Sequence, residues 1–455
     1  MTKDIYLAAV EGGGTTFLAS IARVIPPHHD QAQPATNTRF SIGSTTLEII
    51  HTATFPPPNE QPPWTPHQIL SAITTFFQTH RPSPSGYTAL GIATFGPADV
   101  SPPSPHYGHI LPGCPKREWR GVDLLSPLKA ACQVENVGFD TDVNAPALAE
   151  FRHRCHAQQQ QPSQQPSSPA GADAKGPPLT SLAYITVGTG VGVGLVINSF
   201  PVHGLLHPEG GHVPIHTLEG DAFGGYSWGV ERSPFRGVGT VEGVTSSVAL
   251  TERLLWMQRE QYEEEEKDGG GCAKCEHDSG GCGADDATAR SILSTLPDSH
   301  PLWSHASNAI ANLCVTILLL TSCQRIVLEG GVMNRSILYD RIRREVLVLL
   351  NGYLDVEELS SEEKLKSVIC ASSWESLGVG SGLVGAFALA LDSLQEEEEA
   401  GAEEKCDSAL VTRRELKNGI ERRKVFGLGI MAGIGLSMGC ILLIKIAGRG
   451  LLRQH

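Results

Sequence analysis

Three short glycine-rich stretches follow apolar segments of the chain and have the composition of phosphate-binding turns. Glycine lets backbone N–H groups approach phosphate oxygens, because no Cβ blocks the approach and positive φ angles are accessible. The stretches are Glu11-Gly-Gly-Gly-Thr15, Gly188-Thr189-Gly190 and Glu329-Gly330-Gly331-Val332. None is followed by Gly-Lys-Ser/Thr, so none of them matches a P-loop. Several such turns in one chain indicate a nucleotide-phosphate site of another kind.

Two aspartates, Asp140 and Asp142, end a short apolar segment just before a helix predicted to begin near Asn144. A carboxylate at the end of a strand can act as a general base. An aspartate at this position can equally cap the N-terminus of the following helix. Residue type and spacing alone favour the cap.

The elements that must position these residues alternate between strands and helices. Apolar segments predict strands at 5–10, 17–24, 90–95, 137–139, 182–187, 191–197 and 325–329. Helical patterns occur at 144–156, 306–321 and 336–350. Glycine turns join 5–10 to 17–24 and 182–187 to 191–197. This repeated unit predicts two related α/β lobes, each supplying a glycine turn to one cleft.

Composition excludes some classes of function and marks two insertions. The chain has 455 residues and a net charge of −14, which argues against a nucleic-acid partner. Its 11 Cys residues are irregularly spaced, which is typical of free thiols in a reducing compartment. Residues 157–180, rich in Gln, Pro and Ser, and residues 258–290, acidic and then rich in Gly and Cys, are predicted to be disordered inserts.

The C-terminal segment 425–444 contains no charged residue and follows a charged linker, 396–424. As a helix it would measure about 30 Å, the thickness of a bilayer's hydrocarbon core. It is therefore predicted to be a transmembrane tail anchor, with the rest of the protein on the cytoplasmic face of a membrane whose identity stays open. The alternative is a glycine-rich helix buried in the globular part.

Five motifs, in this order along the chain, carry a resemblance to a known family. They are Glu11-Gly-Gly-Gly-Thr15, Gly91-Ile-Ala-Thr-Phe-Gly-Pro-Ala-Asp99, Phe139-Asp-Thr-Asp142-Val-Asn144-Ala, Ile185-Thr-Val-Gly-Thr-Gly-Val-Gly192 and His207-Pro-Glu-Gly-Gly-His212. Together they resemble the signatures of ROK-family sugar kinases, closest to the bacterial-type fructokinase branch, over residues 5–255 and 305–392. The resemblance implies a two-lobed, actin-like (ribonuclease H-like) α/β ATPase fold. Its lobes would be 1–143 and 144–395, with ATP and a hexose bound in the cleft.

The resemblance also implies roles for single residues. Asp142 matches the catalytic base, and Glu11 matches an acid that acts on Mg²⁺ through water. Hexose contacts match Asn144, Glu209, His212 and Glu242. Nucleotide contacts match Gly13, Gly14, Thr15, Gly188, Thr189, Gly190, Gly330, Gly331 and, more loosely, the turn at 378–382. Thr16 stands where many members carry Lys, so one phosphate-facing charge is expected to be missing.

The chain departs from the family at its structural zinc site. His212 is present, but residues 223–241, where the family carries a short Cys-rich loop, contain no Cys. A closed zinc site needs three or four ligands, so the ordinary zinc site is not expected. The second insert offers a different ligand set, Cys272, Cys275, His277 and Cys282, for which free thiols are the alternative.

The sequence therefore predicts an ATP-dependent hexose kinase, with D-fructose as the substrate and fructose 6-phosphate as the product. A glucokinase or an aminosugar kinase is the alternative within this class. A catalytically weak sugar-binding scaffold protein is the alternative outside it. The expected partners are the hexose, ATP and a membrane, without nucleic acid, and both the hexose and a homodimeric state stay open.

Overall fold

A computed structural model of the protein describes residues 4–13, 16–26, 38–58, 64–160, 177–227, 233–267, 286–375 and 378–395. Within these ranges the chain forms two mixed sheets and ten α-helices. The linker 396–424, the predicted anchor 425–444 and the candidate ligands Cys272, Cys275, His277 and Cys282 lie outside the described residues.

The first sheet contains six strands, which are β1 (Tyr6–Gly12), β2 (Phe17–Ile25), β3 (Arg39–Ile42), β4 (Thr45–Phe55), β5 (Ala89–Thr94) and β6 (Val137–Thr141). Their order is β3-β4-β2-β1-β5-β6. β1 and β2 form an antiparallel hairpin, whereas β1, β5 and β6 run parallel. The carboxyl ends of these three parallel strands therefore meet at one edge of the sheet.

The second sheet contains five strands, which are β7 (Leu182–Val187), β8 (Val191–Ile197), β9 (Phe200–Pro201), β10 (Arg325–Glu329) and β11 (Ile369–Ala371). Their order is β11-β10-β7-β8-β9. Here β7 and β8 form the antiparallel hairpin, and β7, β10 and β11 run parallel. The β7–β8 hairpin thus corresponds to β1–β2, and the predicted pair of related lobes is confirmed.

The helices are α1 (Pro66–Thr79), α2 (Leu125–Cys132), α3 (Asn144–Gln160), α4 (Val241–Thr245), α5 (Ser247–Lys267), α6 (Asp286–Thr295), α7 (Leu302–Thr321), α8 (Ile337–Leu350), α9 (Glu362–Val368) and α10 (Ser381–Gln395). The helices predicted from the sequence correspond to α3, α7 and α8. Helix also occupies the edges of both predicted inserts, since α3 runs to Gln160, α5 to Lys267 and α6 starts at Asp286. At the end of α5 the reason is composition, because Glu and Gln have high helix propensity.

Three apolar layers hold the sheets and helices together. α1 and α2 cover one face of the first sheet, with Ile73 and Leu128 in that core. α7 and α8 cover one face of the second sheet, with Trp303 in that core. α3 and α10 share a third core with strands of both sheets, where Phe387 packs in the same cluster as Leu7. The two lobes are therefore joined by a common helical layer.

Two strand glycines let α10 lie directly on the first sheet. A Cβ at Gly91 in β5 would lie 1.7 Å from the carbonyl oxygen of Ala386, and one at Gly138 in β6 would lie 2.4 Å from that of Leu389. No side chain fits in either space. The helix backbone consequently rests on the strand backbone.

Among the described helices, α7 alone has the length and mean hydropathy (20 residues, 1.3) of a membrane span. Its most apolar stretch is 56% buried inside the protein, and Trp303, Ile310 and Leu313 belong to the core. This packing makes α7 a core helix. The tail anchor at 425–444 stays a prediction.

Candidate active site

The first glycine turn joins β1 to β2 at the edge where β5 and β6 also end. The backbone N–H of Gly13 donates to the carbonyl of Thr16 over 2.9 Å, while Gly14 and Thr15 lie outside the described residues. Glu11 is the second-last residue of β1, and its carboxylate lies at the start of α10, close to the backbone N–H of Leu383. Burial raises the pKa of Glu11 to about 7, and the nearby carboxylates of Asp142 and Glu329 add to the shift.

The second and third glycine turns lie against each other. Gly188 donates its N–H to the carbonyl of Gly190 over 2.9 Å, which closes the β7–β8 turn that contains Thr189. Gly330 has a φ of +104° and packs so closely that a Cβ would lie 2.5 Å from the carbonyl oxygen of Val187. Glycine is required there for both reasons. The turns of β7–β8 and β10 therefore form one glycine-lined surface.

A cavity of about 340 Å³ opens beside the third turn. Its walls include Gly330, Gly331, Met333, Asn334, Gly378 and Val379. The structure thus brings together the turns at 330–331 and 378–382, both of which the family resemblance assigned to nucleotide contacts. The apolar side chains Met333 and Val379, beside glycine backbone and the polar side chains Glu329 and Glu375, suit a flat, polar-edged ligand.

Asp142 follows β6, and its backbone N–H donates to the carbonyl of Thr94 at the end of β5 over 2.8 Å. The capping alternative is not realised, because the hydroxyl of Thr141 accepts the N–H of Asn144 over 3.0 Å at the start of α3. Burial raises the pKa of Asp142 to about 6, and the ammonium of Lys116 opposes that shift. Such a carboxylate is ionised at neutral pH and ready to take a proton.

Lys116 lies in the same place, and sequence analysis missed it. Its Nζ donates to the carbonyl of Gly13 over 2.8 Å and stands 3.2 Å from the ring centroid of Phe95. Burial lowers the pKa of Lys116 to about 8, while Asp142 acts in the opposite direction. A single lysine in the loop between β5 and α2 carries no local pattern that could have indicated this position.

Glu209, His212 and Glu242 form a second polar group. His212 Nε2 lies 3.9 Å from a Glu209 oxygen, and His212 Nδ1 lies 3.9 Å from a Glu242 oxygen. Partial removal from water raises the pKa of Glu209, and Glu242 and Asp142 add to that shift, although 43% of the Glu209 side chain remains exposed. The other Glu242 oxygen accepts the N–H of Val191 over 2.9 Å. This cluster offers the donors and acceptors that sugar hydroxyls need, beside the second glycine turn.

Two of the predicted polar residues use their side chains within the protein. Asn144 is fully buried, donating from its amide to Val202 O over 3.3 Å and accepting from Leu195 N over 3.2 Å. Asp140 is also buried and bonds to His203 Nε2 over 2.8 Å, which raises the pKa of that histidine. Both residues tie the start of α3 and the end of β6 to the segment that leads into the Glu209 cluster.

The segment after His212 is fixed by a buried ion pair that sequence analysis also missed. Arg253 in α5 donates to the two oxygens of Asp221 over 2.7 and 2.9 Å, and these side chains are 1% and 2% exposed. His305 in α7 lies 3.2 Å from the same carboxylate.

Within the described part of the chain, no group of three or more His, Cys, Asp or Glu side chains is placed to hold a metal ion.

Comparison with known proteins gives the same picture. The ROK family matches residues 35–162 and 173–393 of this chain. A fructokinase from Zymomonas mobilis is 31% identical over 338 residues, which cover 72% of this chain and 87% of the relative. A putative fructokinase from Bacillus subtilis is 28% identical over 395 residues, with 87% and 98% covered.

Solved structures share the fold. A ROK hexokinase from Thermus thermophilus has a TM-score of 0.51 at 18% identity, with 86% of this chain and 100% of that chain covered. A ROK-family glucokinase from Streptomyces griseus, solved with glucose and AMPPNP, has a TM-score of 0.51 at 19% identity, with 86% and 99% covered. The motifs, the duplicated sheets and the family match agree: the chain belongs to the ROK family of sugar kinases.

Proposed function

We propose that the protein is an ATP-dependent hexose kinase that converts D-fructose to fructose 6-phosphate, with Asp142 as the catalytic base. The observation that carries this proposal is the environment of Asp142. Its carboxylate interacts electrostatically with Glu11 at the first glycine turn and with Glu209 in the hexose cluster. A base that activates a sugar hydroxyl for attack on a phosphoryl donor must be close to both the sugar site and the phosphate site.

The chemistry assigns each group one task. A sugar hydroxyl is a weak nucleophile, so Asp142 takes its proton as the oxygen bonds to the γ-phosphorus and the bond to the leaving ADP breaks. Glu209, His212 and Glu242 hold the other hydroxyls and orient the sugar. The glycine turns present backbone N–H groups to the phosphates.

A divalent cation fits the donors at the first turn. Glu11 is a carboxylate, the ligand type that Mg²⁺ prefers, and within the described residues it has no lysine or arginine partner. Glu11 would hold Mg²⁺ through water. When bound, the ion neutralises charge on the phosphates.

Fructose is proposed because the relatives from Zymomonas mobilis and Pediococcus pentosaceus carry the name fructokinase. The test is a coupled ADP-release assay of the full-length chain with fructose, glucose, mannose and N-acetylmannosamine. We expect the highest kcat/KM for fructose and a phosphate on its 6-hydroxyl, identified by NMR. A higher kcat/KM for glucose or N-acetylmannosamine would overturn the substrate but not the kinase. ADP release no faster than that of Asp142→Asn with every sugar would overturn the kinase.

A further inference from the structure

The ammonium group of Lys116 lies at the first glycine turn, in a position that is not explained by a role in holding its own loop in place. It lies against the Gly13 carbonyl of the first glycine turn and over the face of Phe95. Within the described residues it forms no ion pair with a carboxylate. A largely buried cation without a carboxylate partner destabilises the protein, because no ion pair offsets the desolvation free energy of the charge. A bound ligand of negative charge would offset it.

An aromatic cluster fixes this lysine in place. Phe17 and Trp119 stack with centroids 4.7 Å apart, and Phe95 meets Trp119 edge to face at 5.6 Å. Trp119 ends the short 3₁₀ helix Arg117–Trp119 that follows Lys116 directly. The cluster therefore connects the loop of Lys116 to the start of β2 and the end of β5, the two strands that flank β1 in the sheet.

Electrostatics connect Lys116 to the reacting centre. Among charged groups, Asp142 has the largest effect on the pKa of Lys116, and Lys116 is the cation that lowers the pKa of Asp142. The turn itself contributes no cation at Thr16, which is exposed and stands where the family resemblance predicts Lys. The first turn thus takes its positive charge from a distant loop instead of from its own residues.

We propose that Lys116 is the cation of the phosphate turn. Its ammonium ion binds the phosphoryl group during transfer and offsets the negative charges of that group and of Asp142. The proposal rests on the proposed kinase function. The ammonium exchanges its contact with the Gly13 carbonyl for a phosphate oxygen and stays protonated. Asp142 still takes the proton of the hydroxyl.

The test compares Lys116→Met and Lys116→Gln, which remove the charge, with Lys116→Arg, which keeps it. Lys129→Met is the matched control, because Lys129 lies on α2 and pairs with Glu135 at the surface. We expect kcat to fall about 10²- to 10³-fold in the neutral variants, as when one stabilising donor is lost from a transition state. The control should keep the wild-type kcat.

The pH profile separates a charge from an anchor. Activity requires ionised Asp142, so kcat/KM rises with pH through its pKa; this rise is the acidic limb of the pH profile. Loss of the nearby cation should shift the acidic limb to higher pH by about one unit. The other groups that act on Lys116 or Asp142 — Cys114, Glu118, Glu11 and Glu209 — are the same in every variant. Lys116→Arg should keep the wild-type limb.

A binding measurement does not depend on turnover. Calorimetry with Mg²⁺ and a non-hydrolysable ATP analogue should show about tenfold weaker binding to both neutral variants, with Lys129→Met unchanged. Neutral variants that keep both the wild-type limb and the wild-type affinity would reduce Lys116 to a loop anchor. If the wild type phosphorylated no hexose, the proposed function would fail while this comparison still decided the role of Lys116.

Discussion

Replacing Asp142 with Asn should separate catalysis from stability in one variant. Asn keeps the shape of the side chain but cannot take a proton, so the rate should fall about 10²- to 10⁴-fold. In the wild type, kcat/KM should fall about tenfold per pH unit below the Asp142 pKa of about 6. The variant's residual rate should lack this limb.

The same substitution should make the protein more stable at neutral pH. Folding raises the Asp142 pKa from about 3.9 in an unfolded chain to about 6, so the ionised carboxylate opposes folding. At about 1.4 kcal/mol per pH unit, the cost approaches 3 kcal/mol, an upper bound. The advantage of Asn should be absent below about pH 4 and complete above about pH 6. It should grow between these values, where the carboxylate is ionised in the unfolded chain but still protonated in the folded protein.

Urea unfolding at pH 4 and pH 8, together with the coupled assay, measures both effects. Asp123→Asn is the control, because Asp123 accepts from Ser126 N at an exposed turn before α2. The control should change neither rate nor the pH dependence of stability. Turnover of Asp142→Asn within about threefold of wild type would refute the role of base. Equal stability of variant and wild type at pH 8 would show that the ionised Asp142 carboxylate does not destabilise the folded protein as we infer.

Three further outcomes are expected. Arg253→Met should cost about 3–5 kcal/mol of unfolding free energy, because it removes the cation that binds both oxygens of the buried Asp221 carboxylate; a loss below about 1 kcal/mol would mean that the pair contributes little. Dialysis against a chelator should leave the urea midpoint unchanged, since residues 223–241, where the family carries its zinc loop, contain no Cys, and a tightly held zinc in metal analysis would contradict this. Full-length protein should resist carbonate extraction from membranes and become soluble on deletion after Lys424, with kinase activity kept; a full-length protein that stays in the soluble fraction would refute the anchor at 425–444.

The parts of the site that could be predicted from sequence are those written in consecutive residues. Strand, glycine turn and strand follow one another at 182–197, so local composition is enough to predict the β7–β8 unit. For Asp142 the local pattern fitted two roles and by itself favoured the helix cap over the catalytic base. The structure distinguishes them because Thr141, one residue earlier, caps α3.

The parts that escaped prediction depend on contacts between distant residues. Lys116 meets Gly13 only because β1 and β5 are neighbours in the sheet and the loop after β5 returns over the turn. Arg253 meets Asp221 because α5 packs under the segment after His212. Neither pair has a spacing or a motif that a linear sequence displays. Their positions follow from strand order, which the sequence pattern does not specify.

The close packing of α10 on Gly91 and Gly138 affects how the protein folds during its synthesis. The first lobe's strands leave the ribosome early, but the helix that covers their inner face comes from residues 381–395. Until then the core that contains Leu7 and Ala93 lacks the side chains that α10 contributes, such as Phe387. The first lobe is therefore completed only after α10 has been made, and chaperones have more than 200 residues of elongation in which to hold its open face. A nascent chain that ends before α10 should aggregate, whereas one that includes it should reach the protease-resistant state.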